Sequence, residues 1–173
     1  MAPGQEPSVG QPAGPESGER AYAAMIAKAR ALVPRLRERA ARTEELRYLP
    51  PETERDLHDS GLFPMLQPKR IGGAELDYVA LIDCADLLGQ ADASVAWNLA
   101  NLASHHWMLG MFEQKAQDLV WGRDPDALIA SSFIFPAGRA TRVDGGYQLR
   151  GSWPFSSGVA SCEWNMLASV VYS

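Results

Sequence analysis

The stretch Leu128–Gly158, LIASSFIFPAGRATRVDGGYQLRGSWPFSSG, decides the fold of the second half of the chain. It opens with an apolar run that is interrupted by Ser131 and Ser132, and this run ends at a Pro-Ala-Gly turn. The triplet Asp144-Gly145-Gly146 supplies the positive-φ positions that a tight hairpin turn needs. Apolar and polar residues then alternate from Tyr147 to Ser152, which is typical of a strand. The stretch therefore predicts a β-hairpin.

The second arm of this hairpin ends in Trp-Pro-Phe-Ser-Ser-Gly, which we call the tip segment (residues 153–158). Pro154 has no N–H to donate to a neighbouring strand, so we expect the strand to stop or bulge there. Two aromatic rings beside two hydroxyls are suited to holding a planar heteroaromatic ligand. The alternative interpretation is that Trp153 and Phe155 close a hydrophobic core.

The first half of the chain has helical periodicity. Helices are predicted from Arg20 towards the Pro50-Pro51 pair, and over Glu52–Ser60, Tyr78–Gly89, Asp92–Met111 and Glu113–Trp121. The fourth helix combines apolar residues on most sides with several polar ones, namely Asn98, Asn101, Ser104, His105 and His106. Buried polar groups need partners, so this helix is expected to border a polar network or a cavity. The two adjacent histidines point about 100° apart and face different neighbours.

These patterns predict an α+β protein. Residues 20–125 are expected to form an all-α domain, and residues 126–173 an incomplete β domain that ends in one buried strand over Asn165–Tyr172. Three or four strands are too few to close a sheet or barrel, so the rest of the architecture is expected to be missing. Residues 1–19 are rich in proline and glycine and are predicted to be a disordered tail.

Composition excludes several classes of function. The net charge of −5 argues against nucleic acid as the main partner, which would require a basic surface. Two cysteines and three histidines without an H-E-x-x-H motif argue against a metal site. No apolar run approaches the roughly 18–20 residues of a membrane span, and no signal peptide is evident, so we expect a cytoplasmic protein that does not bind membranes.

Several ordered blocks carry a family resemblance. They are LPPETERDLHDSGLFPMLQPKRIGGAEL at 49–76, ADASVAW at 91–97, the H-x-W of residues 105–107, DALIASSF at 126–133 and DGGYQLRGSWPFSSG at 144–158. From about Ala21 onward the chain resembles the N-terminal part of the acyl-CoA dehydrogenase superfamily. Within it, the chain is most similar to the reduced-flavin-dependent monooxygenases, the oxygenase components of two-component aromatic hydroxylases. The resemblance covers less than half of a typical member.

That resemblance implies an N-terminal helical domain, a central β-barrel domain and a C-terminal helical bundle that supports a homotetramer. The bundle is expected to be missing here. Reduced FMN or FAD would lie between the β domain and the bundles, supplied by a separate flavin reductase. Oxygen would add at flavin C4a, and the resulting hydroperoxide would hydroxylate a small aromatic or polyketide-like substrate.

The resemblance also implies roles for individual residues. Ser156 would lie near flavin N5, and His105 would bind or deprotonate the substrate oxygen beside Trp107. The remaining predicted flavin contacts are Trp97, Ser131, Ser132, Trp153, Phe155 and Ser157. Position 106 departs from the family, because many relatives carry proline where this chain has His106. We therefore favour His105 as the histidine that faces the pocket.

Two alternatives stay open. The first is an acyl-CoA dehydrogenase-type FAD oxidoreductase, although those enzymes usually show Thr-Glu-Pro where this chain has Ser132–Pro136. Their catalytic base also comes from the bundle, which is expected to be absent. The second alternative is an inactive truncated product that retains the folding helices but no catalysis.

Overall fold

The computed structural model describes residues 15–172, with side chains described from Ser17 onward. In this range it contains five α-helices followed by five β-strands. The helices are α1 Pro15–Leu46, α2 Pro51–Ser60, α3 Val79–Gly89, α4 Ala93–Gly110 and α5 Gln114–Trp121. The strands are β1 Ile129–Ser132, β2 Gly138–Val143, β3 Gly146–Gly151, β4 Trp164–Leu167 and β5 Val170–Tyr172. The predicted α+β class is confirmed, while the division into domains stays a prediction.

The predicted disordered tail lies partly outside the described residues, which begin at position 15. Within the described part, α1 starts at Pro15, five residues before the predicted start at Arg20. A proline fits the first turn of a helix, because its missing N–H would have no partner there in any case. The first helix is therefore longer than predicted, and the disordered tail stays a prediction.

The helical core is built where α1, α3 and α4 pack together. One side of each helix contributes residues spaced three or four apart, as the periodicity predicts. The buried set includes Met25, Ala29, Leu32 and Leu36 of α1, Leu81, Cys84 and Leu88 of α3, and Val95, Leu99 and Leu102 of α4. Full burial of each large aliphatic side chain contributes roughly 1.5–3 kcal/mol to folding. This packing fixes which side of α4 remains for the strands.

The beginning of α4 is held by a side-chain cap. The carboxylate of Asp92 accepts hydrogen bonds from the backbone N–H groups of Ser94 at 2.8 Å and Val95 at 3.2 Å. Such a cap typically contributes about 1 kcal/mol. It starts α4 at Ala93, and seven side chains of this helix are buried, among them His105 and His106.

The strands form two small sheets. β1 pairs with β4 in parallel, and β2 pairs with β3 in antiparallel and with β5 in parallel. The predicted hairpin is confirmed, with Gly145 at φ 75° in its turn. All four residues of β1 are buried, and this strand contacts α4 directly. β1 thus joins the helical half to the sheets.

The single buried strand predicted over Asn165–Tyr172 is wrong. The chain forms β4 and β5 in two different sheets, and their residues are half-buried or exposed. The break falls at Ala168, whose N–H donates to the Ser132 carbonyl at 3.0 Å. The carbonyl of Ala168 accepts a hydrogen bond from Trp153 Nε1 at 2.7 Å. These bonds divert the chain from β1 towards β2. Among residues 15–172, no helix combines the length and the apolar character that crossing a membrane requires.

Candidate active site

The side chains of Ser131 and Ser132 lie on opposite faces of strand β1. The Oγ of Ser131 lies 2.7 Å from Nε2 of His105 on α4. The Oγ of Ser132 donates a hydrogen bond of 3.0 Å to the carbonyl of Pro154 in the tip segment. Neighbouring side chains of a strand point to opposite faces, which explains the division. The short buried strand β1 therefore links the histidine to the tip segment.

The hydrogen bonds of His105 define its tautomer. Its Nδ1 lies 2.6 Å from the carbonyl oxygen of Ile129, which only accepts, so Nδ1 carries the proton. Nε2 of the neutral ring then accepts from the Ser131 hydroxyl. Burial lowers the pKa of His105 below its ordinary value, and the Ile129 carbonyl opposes this only partly. The ring is therefore neutral at pH 7, with its basic nitrogen directed at Ser131.

His106 contacts residues on another side of α4. Its Nδ1 lies 3.1 Å from the carbonyl of Phe63, and its ring packs edge-on against Trp121. Burial lowers its pKa to about 4. The 100° between consecutive helical residues turns one ring to β1 and the other to the segment after α2. The structure therefore places His105, and not His106, beside Ser131, one of the predicted site serines.

The tip segment is fastened to the N-terminal half of α4. The indole Nε1 of Trp97 donates to Oγ of Ser157 at 3.1 Å, and Nδ2 of Asn101 donates to the Ser157 carbonyl at 3.2 Å. Gly158 follows with φ 77°, and a Cβ at this position would lie 3.0 Å from a methyl group of Leu102. The glycine is needed both for its backbone conformation and for this close approach.

Phe155 occupies an unusual backbone conformation within the tip segment. Its φ is 59°, in the left-handed region that non-glycine residues rarely adopt. Such a conformation costs of order 1–3 kcal/mol and persists only when the surroundings enforce it. Here the hydrogen bonds to Pro154 and Ser157 fix both flanks. The ring itself is 87% exposed, so it does not close a core. It is presented as an open aromatic face.

Within residues 15–172, the side chain of Ser156 forms hydrogen bonds with one other side chain, that of Asn165. The Nδ2 of Asn165 on β4 donates to the Ser156 Oγ at 3.1 Å, the shorter of two contacts between these side chains. The Ser156 hydroxyl in turn donates to Oδ1 of Asn165 at 3.5 Å, the limit of a hydrogen bond, so its hydrogen can turn to a ligand acceptor. The arrangement provides one oriented donor beside the exposed ring of Phe155.

Trp153 and Trp107, which were predicted to contact flavin and substrate, pack against other residues of the protein. The half-buried ring of Trp153 packs on Gly138, where a Cβ would collide with the ring, and it closes the end of the hairpin. Trp107 is 43% exposed and packs edge-on against Tyr78. Since it lies two residues after His105, it points about 200° away around α4. Their roles in binding flavin and substrate stay predictions.

A cleft of about 600 Å³ borders the tip segment. It is enclosed by the end of α1 with the residues after it, by the start of α4, and by the tip segment. Its lining residues are Thr43, Glu44, Arg47, Tyr48, Leu49, Ala93, Ser94, Trp97, Asn98, Ser157 and Gly158. The volume is in the range of small-molecule sites, and Trp97, which is 62% exposed, forms one wall. The cleft is the space that a ligand near the tip segment would enter.

The sequence interpretation did not assign Asn101 or Asn165 to the site. In the sequence Asn101 is only a polar residue on an otherwise buried helix, and Asn165 stands in an apolar strand. In both cases the signal is a side chain whose amide requires a partner in an apolar setting. The sequence indicates that a partner exists but does not identify it.

The sequence is similar to a known protein family and to several characterised proteins. A family model described as "Acyl-CoA dehydrogenase, N-terminal domain" matches residues 20–120. The chain is 40% identical over 140 residues to the oxygenase subunit HsaA, a flavin-dependent monooxygenase of Mycobacterium tuberculosis; this covers 81% of the chain and 35% of HsaA. It is 36% identical over 135 residues to the oxygenase component of the FADH(2)-dependent resorcinol hydroxylase of a Rhizobium species, covering 78% of the chain and 33% of that protein.

Solved structures agree with these matches. The crystal structure of HsaA from M. tuberculosis superposes with a TM-score of 0.83 at 38% identity, over 87% of this chain and 41% of that one. XiaF from a Streptomyces species, solved with FADH2 and glycerol, superposes with a TM-score of 0.84 at 29% identity. The superposition covers 90% of this chain and 39% of XiaF. The chain thus spans 33–35% of the length of the curated relatives named above.

Proposed function

Because the chain belongs to the acyl-CoA dehydrogenase family, we propose that it is the N-terminal part of the oxygenase component of a flavin-dependent monooxygenase that hydroxylates an aromatic substrate. The relatives named above support the reaction class. The observation that carries the proposal is the hydrogen bond between the buried His105 and Ser131, which joins α4 to the strand leading towards the tip segment.

The donor set at the tip segment is suited to reduced FMN or FAD. A flavin ring needs a flat apolar surface and hydrogen-bond donors at its ring nitrogens and oxygens. Phe155 and Trp97 offer exposed aromatic faces, and Ser156 offers a hydroxyl hydrogen. Ser132, Ser157 and Trp153 keep the tip segment in place. When bound, the reduced flavin supplies the chemistry that activates molecular oxygen.

His105 and Ser131 would handle the proton of the substrate. A phenolic hydroxyl placed at Ser131 would donate to Ser131 Oγ, whose own proton is shared with Nε2 of His105. Removal of this proton makes the aromatic ring more electron-rich and hence easier to hydroxylate. The neutral state of His105 is the one required of a general base. Positioned proton transfer of this kind typically contributes 10²–10⁴-fold to a rate.

Partners and location complete the proposal. A separate flavin reductase would supply the reduced flavin, since the relatives are named as oxygenase subunits or components. A small aromatic substrate would bind at Ser131, with oxygen as the co-substrate, while the cleft beside Trp97, whose lining includes neither Ser131 nor His105, would take the part of a ligand nearest the tip segment. A homotetramer and a cytoplasmic location belong to the same proposal by family resemblance.

An acyl-CoA dehydrogenase-type FAD oxidoreductase is the second candidate, favoured by the family match alone. A third candidate, an inactive truncated product, would keep the fold of the helices without turnover. All three differ in what the protein does with reduced flavin, oxygen and a phenol.

The test is an anaerobic thermal-shift titration of the chain with reduced FMN and reduced FAD, followed by turnover with ¹⁸O₂ and a set of phenols. We expect reduced flavin to raise the melting temperature, with about 2.7 kcal/mol of stabilisation at 100 times its Kd. We also expect ¹⁸O in the hydroxylated product. Reduction of the flavin by an acyl-CoA substrate, without oxygen insertion, would establish the second candidate. Flavin binding without any turnover would establish the third.

A further inference from the structure

One face of the three-stranded sheet carries two arginines directly opposite each other. Arg139 on β2 pairs with Arg150 on β3 in the antiparallel register. On the same face, Thr141 pairs with Gln148 on one side and with Tyr172 on the other. These five side chains line a hollow of about 450 Å³. This face is separate from the contacts of Trp153, which packs on the opposite side of β2, on the face of Gly138.

The lining of this hollow is positively charged and rich in hydrogen-bond donors. Each of its five side chains has a hydrogen-bond donor, and none is a carboxylate. The ion pairs in the described part of the chain use Arg35, Arg39, Arg42 and Arg70. Arg139 and Arg150 therefore lack a carboxylate partner within residues 15–172. This local positive charge contrasts with the net charge of −5 of the whole chain.

The two arginines oppose the pairing of their strands. Like charges directly opposite in an antiparallel pair have Cβ atoms about 4.5–5.5 Å apart and are destabilising. An anion bound between them removes this repulsion and accepts from both guanidinium groups. Arg139 is already oriented, because its guanidinium carbon lies 5.1 Å from the centre of the Tyr172 ring. Stacking of this kind leaves the N–H edge of the planar group available for a two-pronged contact with oxygen atoms.

We propose that this hollow binds a phosphate group, with Arg139 and Arg150 as its charged ligands and Thr141, Gln148 and Tyr172 as further donors. Guanidinium forks match the geometry of phosphate oxygens and bind them in bidentate fashion. The phosphate can come from two sources. It belongs either to the flavin or to free inorganic phosphate, and the first source rests on the proposed function. Arg150 precedes Trp153 by three residues, about 10 Å along an extended chain, so the hollow and the tip segment share one end of the hairpin.

The experiment is anaerobic calorimetric titration of the chain with inorganic phosphate, reduced FMN and reduced riboflavin, which lacks the phosphate of FMN. The variants are Arg139→Gln and Arg150→Gln. Arg142→Gln is the matched control, because this residue lies on the same strand but on the other face, where its guanidinium stacks on Tyr147 at 5.6 Å. Arg139→Lys keeps the charge and tests the need for the planar fork. Circular dichroism verifies that every variant is folded.

We expect each glutamine variant to weaken phosphate binding by about tenfold or more, since a charge-assisted hydrogen bond is lost, and Arg142→Gln to leave it unchanged. If FMN binds more tightly than riboflavin and the glutamine variants remove only that difference, the flavin supplies the phosphate. If FMN and riboflavin bind with equal affinity while the binding of inorganic phosphate still requires both arginines, free phosphate is the ligand. Phosphate binding that neither arginine affects, or that Arg142→Gln affects equally, overturns the proposal. If reduced FMN and reduced riboflavin both fail to bind while inorganic phosphate binds, the proposed flavin function is refuted and the phosphate site stands.

Discussion

The Nε2 atom of His105 lies 2.7 Å from the Oγ atom of Ser131, although the two residues are 26 positions apart in the chain. Both side chains are buried, at 1% and 7% exposure. The pair stands where α4 crosses β1, the junction between the helical half and the sheets. It combines a neutral imidazole with a hydroxyl that can exchange its proton with a ligand, which is the chemistry that the proposed function requires.

Replacing Ser131 by alanine is expected to destabilise the protein. The change removes the partner of a buried imidazole nitrogen, which costs about 1–3 kcal/mol in free energy of unfolding. Urea unfolding followed by circular dichroism measures this cost. Ser152→Ala is the control, because Ser152 is exposed and its replacement should change the free energy of unfolding very little. Equal midpoints for the two variants would contradict the assigned hydrogen bond.

The stability of the protein is expected to fall between pH 6.5 and about 4 because of His106. Its pKa is lowered to about 4 in the folded chain by burial, against an ordinary value of 6.5. The unfolded chain therefore binds more protons in this interval, and stability decreases as the pH falls. The full contribution, about 3 kcal/mol, is present above pH 6.5 and is lost as the pH falls through the folded pKa.

This pH dependence is measured by urea unfolding at several pH values. His106→Gln should flatten the curve whatever its effect on stability at pH 7. The parent chain, unfolded in the same buffers, provides the comparison. A slope that survives in His106→Gln would mean that other groups cause the acid sensitivity.

Gly158→Ala is expected to disturb the tip segment. The left-handed φ of 77° costs an alanine roughly 1–2 kcal/mol, and the new Cβ would lie 3.0 Å from Leu102. We expect faster hydrogen exchange in the tip segment and a lower unfolding midpoint. Gly146→Ala is the matched control in the same hairpin, because its φ is not positive and no atom lies within 4 Å of the position that the new methyl group would take. Unchanged exchange in Gly158→Ala would show that the tip segment does not depend on this conformation.

In a full-length version of the proposed monooxygenase, Ser156→Ala is expected to uncouple oxygen consumption from hydroxylation. The oriented hydroxyl donor is lost, while the aromatic faces of Phe155 and Trp97 remain, so flavin affinity should change little. Hydrogen peroxide released per oxygen consumed is the measurement, and removal of one preorganised donor is typically worth 10²–10³ in rate. Ser152→Ala again provides the comparison. Coupling equal to the parent would remove Ser156 from the mechanism.

The two histidines offer a ranking test of the substrate site. His105→Ala should weaken the binding of a phenol more than His106→Ala does, because only His105 contacts Ser131. Equilibrium titration with the phenol gives the two affinities, and unfolding midpoints correct for any loss of folded protein. The reverse order would assign the substrate contact to the side of α4 that faces Phe63.

The sequence by itself determined the order of the helices and the position of the hairpin, but not the division of the last strand into β4 and β5. The start of α4 follows from Asp92 and its periodicity, and the hairpin follows from the glycines at 145 and 146. These features depend on interactions between residues close in the chain, namely caps, turn conformations and the spacing of apolar side chains. For the same reason the sequence indicated that Asn101 needs a partner without naming it.

Only the tertiary structure decided which groups meet. The rotation of α4 about its axis turns His105 to Ser131 and Trp107 to Tyr78, and this rotation is set by the packing of α4 against α3 and β1. The contact between Trp97 and Ser157 spans 60 residues, and the break at Ala168 depends on two sheets pairing at once. Such contacts arise from the shapes of whole elements, which no local pattern of residues encodes.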